Sequence, residues 1–443
     1  MSSIALIDDL LSHHHSYQNE FKEAVNEIYK DILEYDNKRS KDEITKFFER
    51  LIEPDRTIRF KVEWFDDKDR VQVNRGYRIQ FNNSLGPYKG GLRFHPTVNE
   101  SILKFLGFEQ IFKNALTGIP MGGAKGGADF DPKGKSEAEV RRFCKRYMEE
   151  LYKYIGANID IPAGDIGVGV REIGYMYGQY LRLTDNFSGV LTGKHPNFGG
   201  SCGREEATGY GCVYFIDEAL NHHGMKFEDK RVLVSGSGNV ALFAVEKLIE
   251  FNTKVLTVSD SDGTLYFEKG ISEDDLNDLK VLKFEKRERL RNYTGSKAVY
   301  LEGEKPWSRE ADIAIPCATQ NEIDAQDAMN LKDNGILLIA EGANMPLSAE
   351  AQSMIENSSI IFLPGKATNA GGVAASGFER SQNAVHIQAE LEDVDHRLRD
   401  VMKKIHRHCI EGVDKKDGVI PYKIGANLFA FNKIYHATTD LHG

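Results

Sequence analysis

Three lysines in the first third of the chain stand beside glycines or within apolar sequence. Lys89 lies in GPYKGGLRFHP and Lys125 in GGAKGGADF, where glycine neighbours leave space for a small molecule to approach. Lys113 lies in the apolar helical stretch IFKNAL. If the three side chains converge, mutual repulsion and partial burial favour the neutral amine on one of them, and the others can bind carboxylates as point charges. A neutral amine suits proton transfer and carbonyl chemistry near neutral pH.

One carboxylate could act together with these lysines. Asp165 is the only acid in the glycine-rich loop PAGDIGVG. It could be a general acid/base, or it could only form a turn, since turns accept aspartate readily. Each lysine could likewise be an ordinary solvated group, so these alternatives stay open at this point.

A second kind of chemistry is indicated by VLVSGSGNVA. Gly236, Gly238 and Ala241 fit the pattern G-x-G-x-x-G/A between a predicted strand and a predicted helix. The first glycine permits a tight turn, the second lets the backbone approach a pyrophosphate, and the helix N-terminus attracts the anion. Asp260 ends the next strand, near the position where an acid usually binds ribose. The segment predicts a dinucleotide site, and a tight turn without a ligand is the alternative.

A metal site is not predicted. His406, His408 and Cys409 fall in a helical stretch, where residues two apart do not share a face.

The predicted secondary structure that positions these groups differs between the first and the later part of the chain. Apolar residues at three- and four-residue spacing predict helices at 16–35, 41–52, 97–117 and 136–155, and RFKVEWF and RVQVNRGYRIQF alternate as strands do. From about residue 200, short apolar strands alternate with helices at 205–221, 324–333 and 348–357. That alternation predicts a parallel, doubly wound sheet. From residue 374 to the end the pattern is mostly helical.

Length and composition limit the class of protein. A chain of 443 residues predicts two or three domains, and its net charge of -10 argues against nucleic acid as the main partner. The five scattered cysteines suit a reducing compartment. We find no apolar run of the ~18 residues that span a membrane, and no secretory or transit signal. These features predict a cytoplasmic protein without a membrane partner.

Eight motifs together resemble the small-subunit, hexameric glutamate dehydrogenases of the Glu/Leu/Phe/Val dehydrogenase family. They are GPYKGGLRFHP, the run from LKFLGFEQ to GGADFDPKGKS, PAGDIGVG, EATGYG, SGSGNVA, PCATQNEI, AEGANMP and PGKATNAGGVA. The resemblance extends from about residue 55 to about residue 385. It implies an α/β fold, in which a substrate domain with a mixed sheet and helices accompanies a Rossmann-like, doubly wound dinucleotide-binding domain. It also implies a homohexamer.

The implied domains have three segments. Residues 1–200 form the substrate-binding and oligomerisation domain, residues 201–375 form the dinucleotide-binding domain, and residues 376–443 are helices that return to the substrate domain.

The resemblance also implies roles for individual residues. Lys125 matches the catalytic lysine and Asp165 the acid/base. The distal carboxylate of the substrate is held by Lys89 and Ser376, its α-carboxylate by Gln110, Lys113 and Gly164, and the side-chain pocket is lined by Val373. Positions near the cofactor are Thr208, Gly236, Ser237, Gly238, Asn239, Val240, Ala318 and Asn344.

The implied reaction is the reversible oxidative deamination of glutamate to 2-oxoglutarate and ammonium. One alternative is a dehydrogenase for a branched-chain or aromatic amino acid on the same scaffold. Lys89 argues against it, because a cation in the side-chain pocket would be buried and unpaired beside an apolar substrate. Another alternative is a dinucleotide-sensing protein without activity, against which Lys125 and Asp165 argue.

The choice between NADP and NAD depends on opposing features. Asp260 stands where an acid accepts hydrogen bonds from the ribose 2′-hydroxyl and repels a 2′-phosphate, which favours NAD. Ser261 can donate to phosphate oxygens, and Lys286 and Arg289 belong to the basic run KFEKRERLRNY, which is either a phosphate patch or a solvated face. Two charge-assisted contacts can outweigh one acid that turns away. The SDS string and the basic run also resemble NADP-using members of the family, so we predict NADP, with NAD as the alternative.

Overall fold

A computed structural model describes residues 7, 10–12, 15, 17–295, 297–415 and 418–442. They divide into two compact units. Unit 1 is Met1–Cys202, Ala375–Val394 and Asn427–Gly443, and unit 2 is Gly203–Ala374 and Asp395–Ala426.

Unit 1 contains a mixed sheet of five strands in the order β1-β2-β4-β3-β5. The strands β1 and β2 form an antiparallel hairpin, β2 pairs antiparallel with β4, and β3 pairs parallel with both β4 and β5. The strand bounds are β1 Arg56–Phe65, β2 Val71–Asn82, β3 Tyr88–Phe94, β4 Gly123–Ala128 and β5 Asp160–Gly164.

Five α-helices with described bounds lie wholly within unit 1, and their ends carry ordinary capping signals. Ser40 and Ser136 cap helices through backbone amides of the first turn, and Glu139 completes a capping box with Ser136. Gly118 ends a helix in the left-handed conformation, with φ of 72°. The bounds are α1 Asn19–Tyr35, α2 Lys41–Leu51, α3 Glu100–Thr117, α4 Glu137–Leu151 and α5 Val170–Thr184.

Unit 2 contains a sheet of seven strands in the order β12-β11-β10-β6-β7-β8-β9. The first five in that order run parallel, while β8 and β9 add an antiparallel edge. The strand bounds are β6 Arg231–Val234, β7 Lys254–Asp260, β8 Gly263–Tyr266, β9 Val299–Glu302, β10 Ile313–Ile315, β11 Leu338–Ala340 and β12 Ile361–Leu363. The chain leaves β6 toward β7 on one side and later places β10 on the other, so the strand order reverses at β6.

Nine further helices complete the described chain. They are α6 Ala207–His222, α7 Asn239–Glu250, α8 Glu273–Lys280, α9 Ala325–Asp333, α10 Ala349–Glu356, α11 Gly365–Thr368, α12 Gly371–Val385, α13 Leu391–Ile410 and α14 Tyr422–His442. The fold class expected from the sequence is confirmed.

The compact units differ from the predicted domains near the C-terminus. The prediction assigned all of 376–443 to the substrate domain, whereas 395–426 lies within unit 2. The boundaries fall inside α12, α13 and α14, and periodicity cannot detect a division that a continuous helix crosses. Within the described ranges, no helix is both long and apolar enough to cross a bilayer, and no group of three or more His, Cys, Asp or Glu side chains is arranged to hold a metal ion.

Candidate active site and dinucleotide-binding turn

Lys125 lies on β4, between β2 and β3, and is only 6% exposed. Its Nζ lies 3.1 Å from Oδ2 of Asp165, which follows the end of β5. A Cβ built on Gly91 would lie 3.4 Å from this Nζ and 2.9 Å from the Cβ of Asp165. A side chain at position 91 would therefore displace the pair, and glycine leaves the space beside it open.

The other glycines of this region mostly serve close strand packing. A Cβ on Gly90 would lie 1.6 Å from the carbonyl oxygen of Ala124, and one on Gly123 would lie 2.3 Å from Ile111. Gly127 has φ of +151° and faces the carbonyl oxygen of Arg93. The sequence-based expectation that these glycines leave room for a ligand therefore applies to Gly91, while the rest let β3, β4 and α3 approach one another.

Asp165 forms a turn and also faces the lysine. Its carbonyl oxygen accepts a hydrogen bond from the Val168 amide at 2.9 Å, so the turn-forming role is present. Its carboxylate instead accepts from Arg93 Nε at 2.8 Å and lies beside Lys125. Both of the roles considered for this aspartate are therefore compatible with the geometry.

Burial and neighbouring charges shift the pKa values of this pair. Burial lowers the pKa of the Lys125 ammonium below its usual value, Asp165 opposes that change, and Arg93 and Arg78 reinforce it. Burial raises the pKa of Asp165, but Lys125 and Arg93 outweigh it and hold this pKa below its usual range. The pair thus combines an ionised carboxylate with an amine that loses its proton more easily than a surface lysine does.

The residues expected at the substrate carboxylates lie on neighbouring elements of unit 1. Lys89 is buried on β3 and, two residues before Gly91, shares its strand face. Gly164 ends β5, and Gln110 and Lys113 lie half-buried on α3.

A network of amides ties α3 to this sheet. Asn114 accepts a hydrogen bond from Gln110 Nε2 at 2.7 Å and donates to the carbonyl oxygens of Lys89 and Gly122. Ser376 is buried on α12 within unit 1, and Val373, earlier in the same helix, is half-buried within unit 2.

In unit 2, the predicted glycine turn connects β6 to α7. Gly236 has φ of +83°, and a Cβ there would lie 3.0 Å from the carbonyl oxygen of Cys317, which follows β10. Gly238 is the N-terminal cap of α7, and a Cβ there would meet nothing within 4 Å. The turn therefore lies where the strand order reverses and presents open backbone at a helix N-terminus, which fits a pyrophosphate.

The remaining predicted cofactor positions surround or follow this turn. Ser237 is buried within it, while Asn239 and Val240 begin α7. Ala318 follows β10, and its amide donates to Glu322. Asn344 follows β11 and accepts from Asn369 at 2.9 Å. Thr208 lies in the first turn of α6, where a Cβ on Gly372 would contact its hydroxyl at 2.5 Å.

Both carboxylate oxygens of Asp260 accept hydrogen bonds from backbone amides. Its Oδ1 accepts from Asp262 N at 3.0 Å, and its Oδ2 accepts from Leu290 N at 2.8 Å. Arg289 donates to the exposed hydroxyl of Ser261 at 2.7 Å. The basic run thus returns to the end of β7, where Ser261 and Arg289 meet beside an acid whose oxygens already have partners.

Two family models match most of the chain. The family model described as Glutamate/Leucine/Phenylalanine/Valine dehydrogenase matches residues 199–441, and the model for the dimerisation domain of Glu/Leu/Phe/Val dehydrogenases matches residues 54–182. The chain belongs to this family. The motif resemblance noted in the sequence is thereby confirmed for the Glu/Leu/Phe/Val dehydrogenases.

Individual relatives cover nearly the whole chain. An NADP-specific glutamate dehydrogenase of Escherichia coli is 51% identical over 421 residues, which are 95% of this chain and 94% of the relative. An NAD(P)-specific glutamate dehydrogenase of Xylanibacter ruminicola is also 51% identical, over 95% of each chain. The crystal structure of Plasmodium falciparum glutamate dehydrogenase has a TM-score of 0.96 at 46% identity and covers 100% of this chain and 95% of that chain.

Three polar groups around the five-stranded sheet of unit 1 were not predicted from the sequence. Arg93 contacts Asp165, and its position two residues after Gly91 on a strand could have revealed the shared face. Arg78 is fully buried and forms a two-point ion pair with Asp160, a partner that only the pairing of distant strands reveals. Thr192 has a buried hydroxyl with no hydrogen bond in the described part of the chain, and no local pattern marks it.

Proposed function

We propose that this chain is an NADP-dependent glutamate dehydrogenase. It catalyses the reversible reaction of glutamate, NADP⁺ and water to 2-oxoglutarate, ammonium and NADPH. The observation that carries this proposal is the buried Lys125–Asp165 pair beside Gly91, with a separation of 3.1 Å. The names of the similar glutamate dehydrogenases support the choice of substrate.

Lys125 polarises the carbonyl group, and Asp165 carries protons to and from the substrate nitrogen. In its protonated form Lys125 donates to the 2-oxo oxygen and stabilises the charge that develops when ammonia adds to the carbonyl carbon. To leave as water the oxygen must gain two protons. Lys125 donates them, and its neutral amine is reprotonated each time by a proton that the substrate nitrogen releases through Asp165. Asp165, held ionised, accepts a proton from the substrate nitrogen and returns it in the reverse direction.

The substrate carboxylates are bound by separate groups of unit 1. Lys89 and Ser376 hold the distal carboxylate. Lys113, Gln110 and the backbone of Gly164 hold the α-carboxylate. Fixing both ends of the substrate orients Cα and its oxygen or nitrogen toward Lys125.

The residues of unit 2 fit NADP. When bound, the nicotinamide would supply the hydride chemistry at Cα of the substrate. Backbone amides at the start of α7 bind the pyrophosphate, and Ser261, Arg289 and Lys286 bind the 2′-phosphate. Thr208, Ala318 and Asn344 complete the set of cofactor positions. Because both oxygens of Asp260 accept backbone hydrogen bonds, this acid is held away from a competing role at the ribose.

We further propose that the subunits assemble as a homohexamer. The strand β1 is ten residues long and forms an edge of its sheet, and Phe65, Val71 and Val73 of the same hairpin are at least half exposed. A long edge strand beside exposed apolar side chains needs a covering partner. Light scattering of the purified chain should give six times 49.8 kDa. A stable, active monomer would contradict the assembly.

The substrate assignment is tested by a panel of amino acids in the oxidation direction with NADP⁺. Glutamate should exceed leucine, valine and phenylalanine in kcat/KM by at least tenfold, because an apolar side chain offers no carboxylate to the buried Lys89 cation. A preference for any of the apolar amino acids would overturn it.

A further inference from the structure

Arg93 contacts the Lys125–Asp165 pair and has no role in the mechanism proposed above. Its Nε donates to Oδ2 of Asp165 at 2.8 Å, and Lys125 Nζ lies 3.1 Å from the same oxygen. The Arg93 side chain is only 16% exposed. One carboxylate oxygen therefore lies between two cations in a largely dry site.

We infer that Arg93 is a positioning residue for the reaction, which fixes Asp165 toward Lys125 and favours loss of the Lys125 proton. This inference rests on the proposed function and assigns a new residue to the same site. Arg93 touches neither reacting group of the substrate in this account; it acts through Asp165.

The charges of Lys125, Asp165 and Arg93 determine in which direction Arg93 shifts the pKa of Lys125. A Lys125–Asp165 pair alone is neutral when both groups are ionised, and a buried neutral pair stabilises the ammonium. Arg93 adds a permanent positive charge and takes part of the hydrogen-bonding capacity of Asp165. Loss of the Lys125 proton then relieves repulsion, which agrees with the lowered pKa of Lys125.

The other charges around Lys125 do not replace Arg93. Arg78 of β2 reinforces the lowered pKa of Lys125, but it is in register with Gly126, on the opposite face of the sheet, and is paired with Asp160. From β3 and α3, Lys89 and Lys113 belong to the proposed carboxylate sites, and substrate neutralises them. Arg93 is the guanidinium that shares an oxygen atom with Lys125, and arginine stays charged across the working pH range.

The test is the pH profile of kcat/KM for glutamate oxidation in Arg93→Met, Arg93→Gln and Arg93→Lys. Without the guanidinium charge, the pKa of Lys125 rises. The acid limb of the profile should move up by about one unit in the Met and Gln variants. The loss should be about tenfold on that limb and should largely disappear at high pH. Arg93→Lys keeps a positive charge at this position and should retain most of the wild-type pH profile.

The comparison among variants distinguishes this role from a merely structural one. Arg182→Met removes an exposed guanidinium of the same unit and should leave the profile unchanged. The Gln variant keeps a hydrogen-bond donor and so remains informative if the Met variant does not fold. A loss that is equal at every pH, or an unmoved acid limb, would overturn the inference.

A second measurement needs no substrate. Cyanate carbamylates neutral amines, so the pH dependence of Lys125 modification, followed by mass spectrometry of its peptide, reports the protonation of that amine. The midpoint should lie higher in Arg93→Gln than in the wild type. Equal midpoints would refute the role of Arg93. If the wild type does not oxidise glutamate, the proposed function fails, while this measurement still decides on Arg93.

Discussion

The two sheets of this molecule present different kinds of chemical groups. The five-stranded sheet of unit 1 carries buried charged side chains, with Arg78, Lys89 and Lys125 on adjacent strands and Asp160 and Asp165 beside them. The seven-stranded sheet of unit 2 presents a glycine turn, a helix N-terminus and hydroxyl groups, and its cations lie at the exposed end of β7. Under the proposed function, reactivity in unit 1 comes from desolvated side chains, and cofactor recognition in unit 2 comes mainly from the backbone.

This contrast predicts that substitutions in unit 1 change turnover and substrate choice, whereas substitutions at the end of β7 change cofactor choice. Burial explains the asymmetry. An ion pair in a dry site has large electrostatic effects, while exposed cations are screened by water and salt.

The largest effect is expected from Lys125→Ala. Loss of the polarising amine should lower kcat by about 10²–10⁴-fold, which is the range for a single acid-base group. NADPH binding, followed by fluorescence titration, should stay near wild type, because the cofactor residues belong to unit 2. Lys153→Ala, which removes an exposed lysine of unit 1, serves as the control. Near-normal turnover in the Lys125 variant would refute its catalytic role.

The next effect concerns substrate choice. Lys89→Leu combined with Ser376→Val removes the proposed site for the distal carboxylate and leaves an apolar pocket. Activity with glutamate should fall sharply, and activity with norvaline or methionine should appear or rise. Steady-state kinetics with the three amino acids measure the change. If glutamate stays strongly preferred, its distal carboxylate is bound elsewhere.

The smallest effect is expected at the exposed cations of unit 2. Lys286→Ala with Arg289→Ala should lower kcat/KM for NADPH by about 10–100-fold. One charged hydrogen bond contributes about 1.5–3 kcal/mol, and solvent screening of these two exposed side chains keeps their joint contribution near that of one such bond. Activity with NADH should change little. Lys269→Ala removes an exposed lysine of the same unit and is the matched control. Equal losses with both cofactors would mean that the basic run has a general structural role.

The sequence predicted the elements better than the pairing between them. Helices expected at 41–52 and 324–333 are observed at Lys41–Leu51 and Ala325–Asp333, because apolar spacing and capping residues are local signals. The strand order of either sheet and the partner of Arg78 were beyond prediction, since both depend on contacts between residues far apart in the chain. The glycine neighbours of Lys89 and Lys125 marked these lysines as candidates but left open whether they were solvated. The contact between Arg93 and Asp165 required the pairing of β3 with β5.

The cofactor prediction shows the same limit. The sequence contained both Asp260 and the basic run, but only the fold shows that Leu290 and Asp262 donate to the acid while Arg289 reaches Ser261. A local motif therefore indicated a dinucleotide, and the choice between two dinucleotides depended on a segment about thirty residues away.

The central claim is tested most directly by reductive amination of 2-oxoglutarate with ammonium, followed by the loss of reduced cofactor with NADPH and, separately, with NADH. We expect turnover with a kcat/KM at least tenfold higher for NADPH. No turnover of 2-oxoglutarate with either cofactor would contradict the proposed activity. A preference for NADH would show that Asp260 determines the cofactor despite its backbone hydrogen bonds.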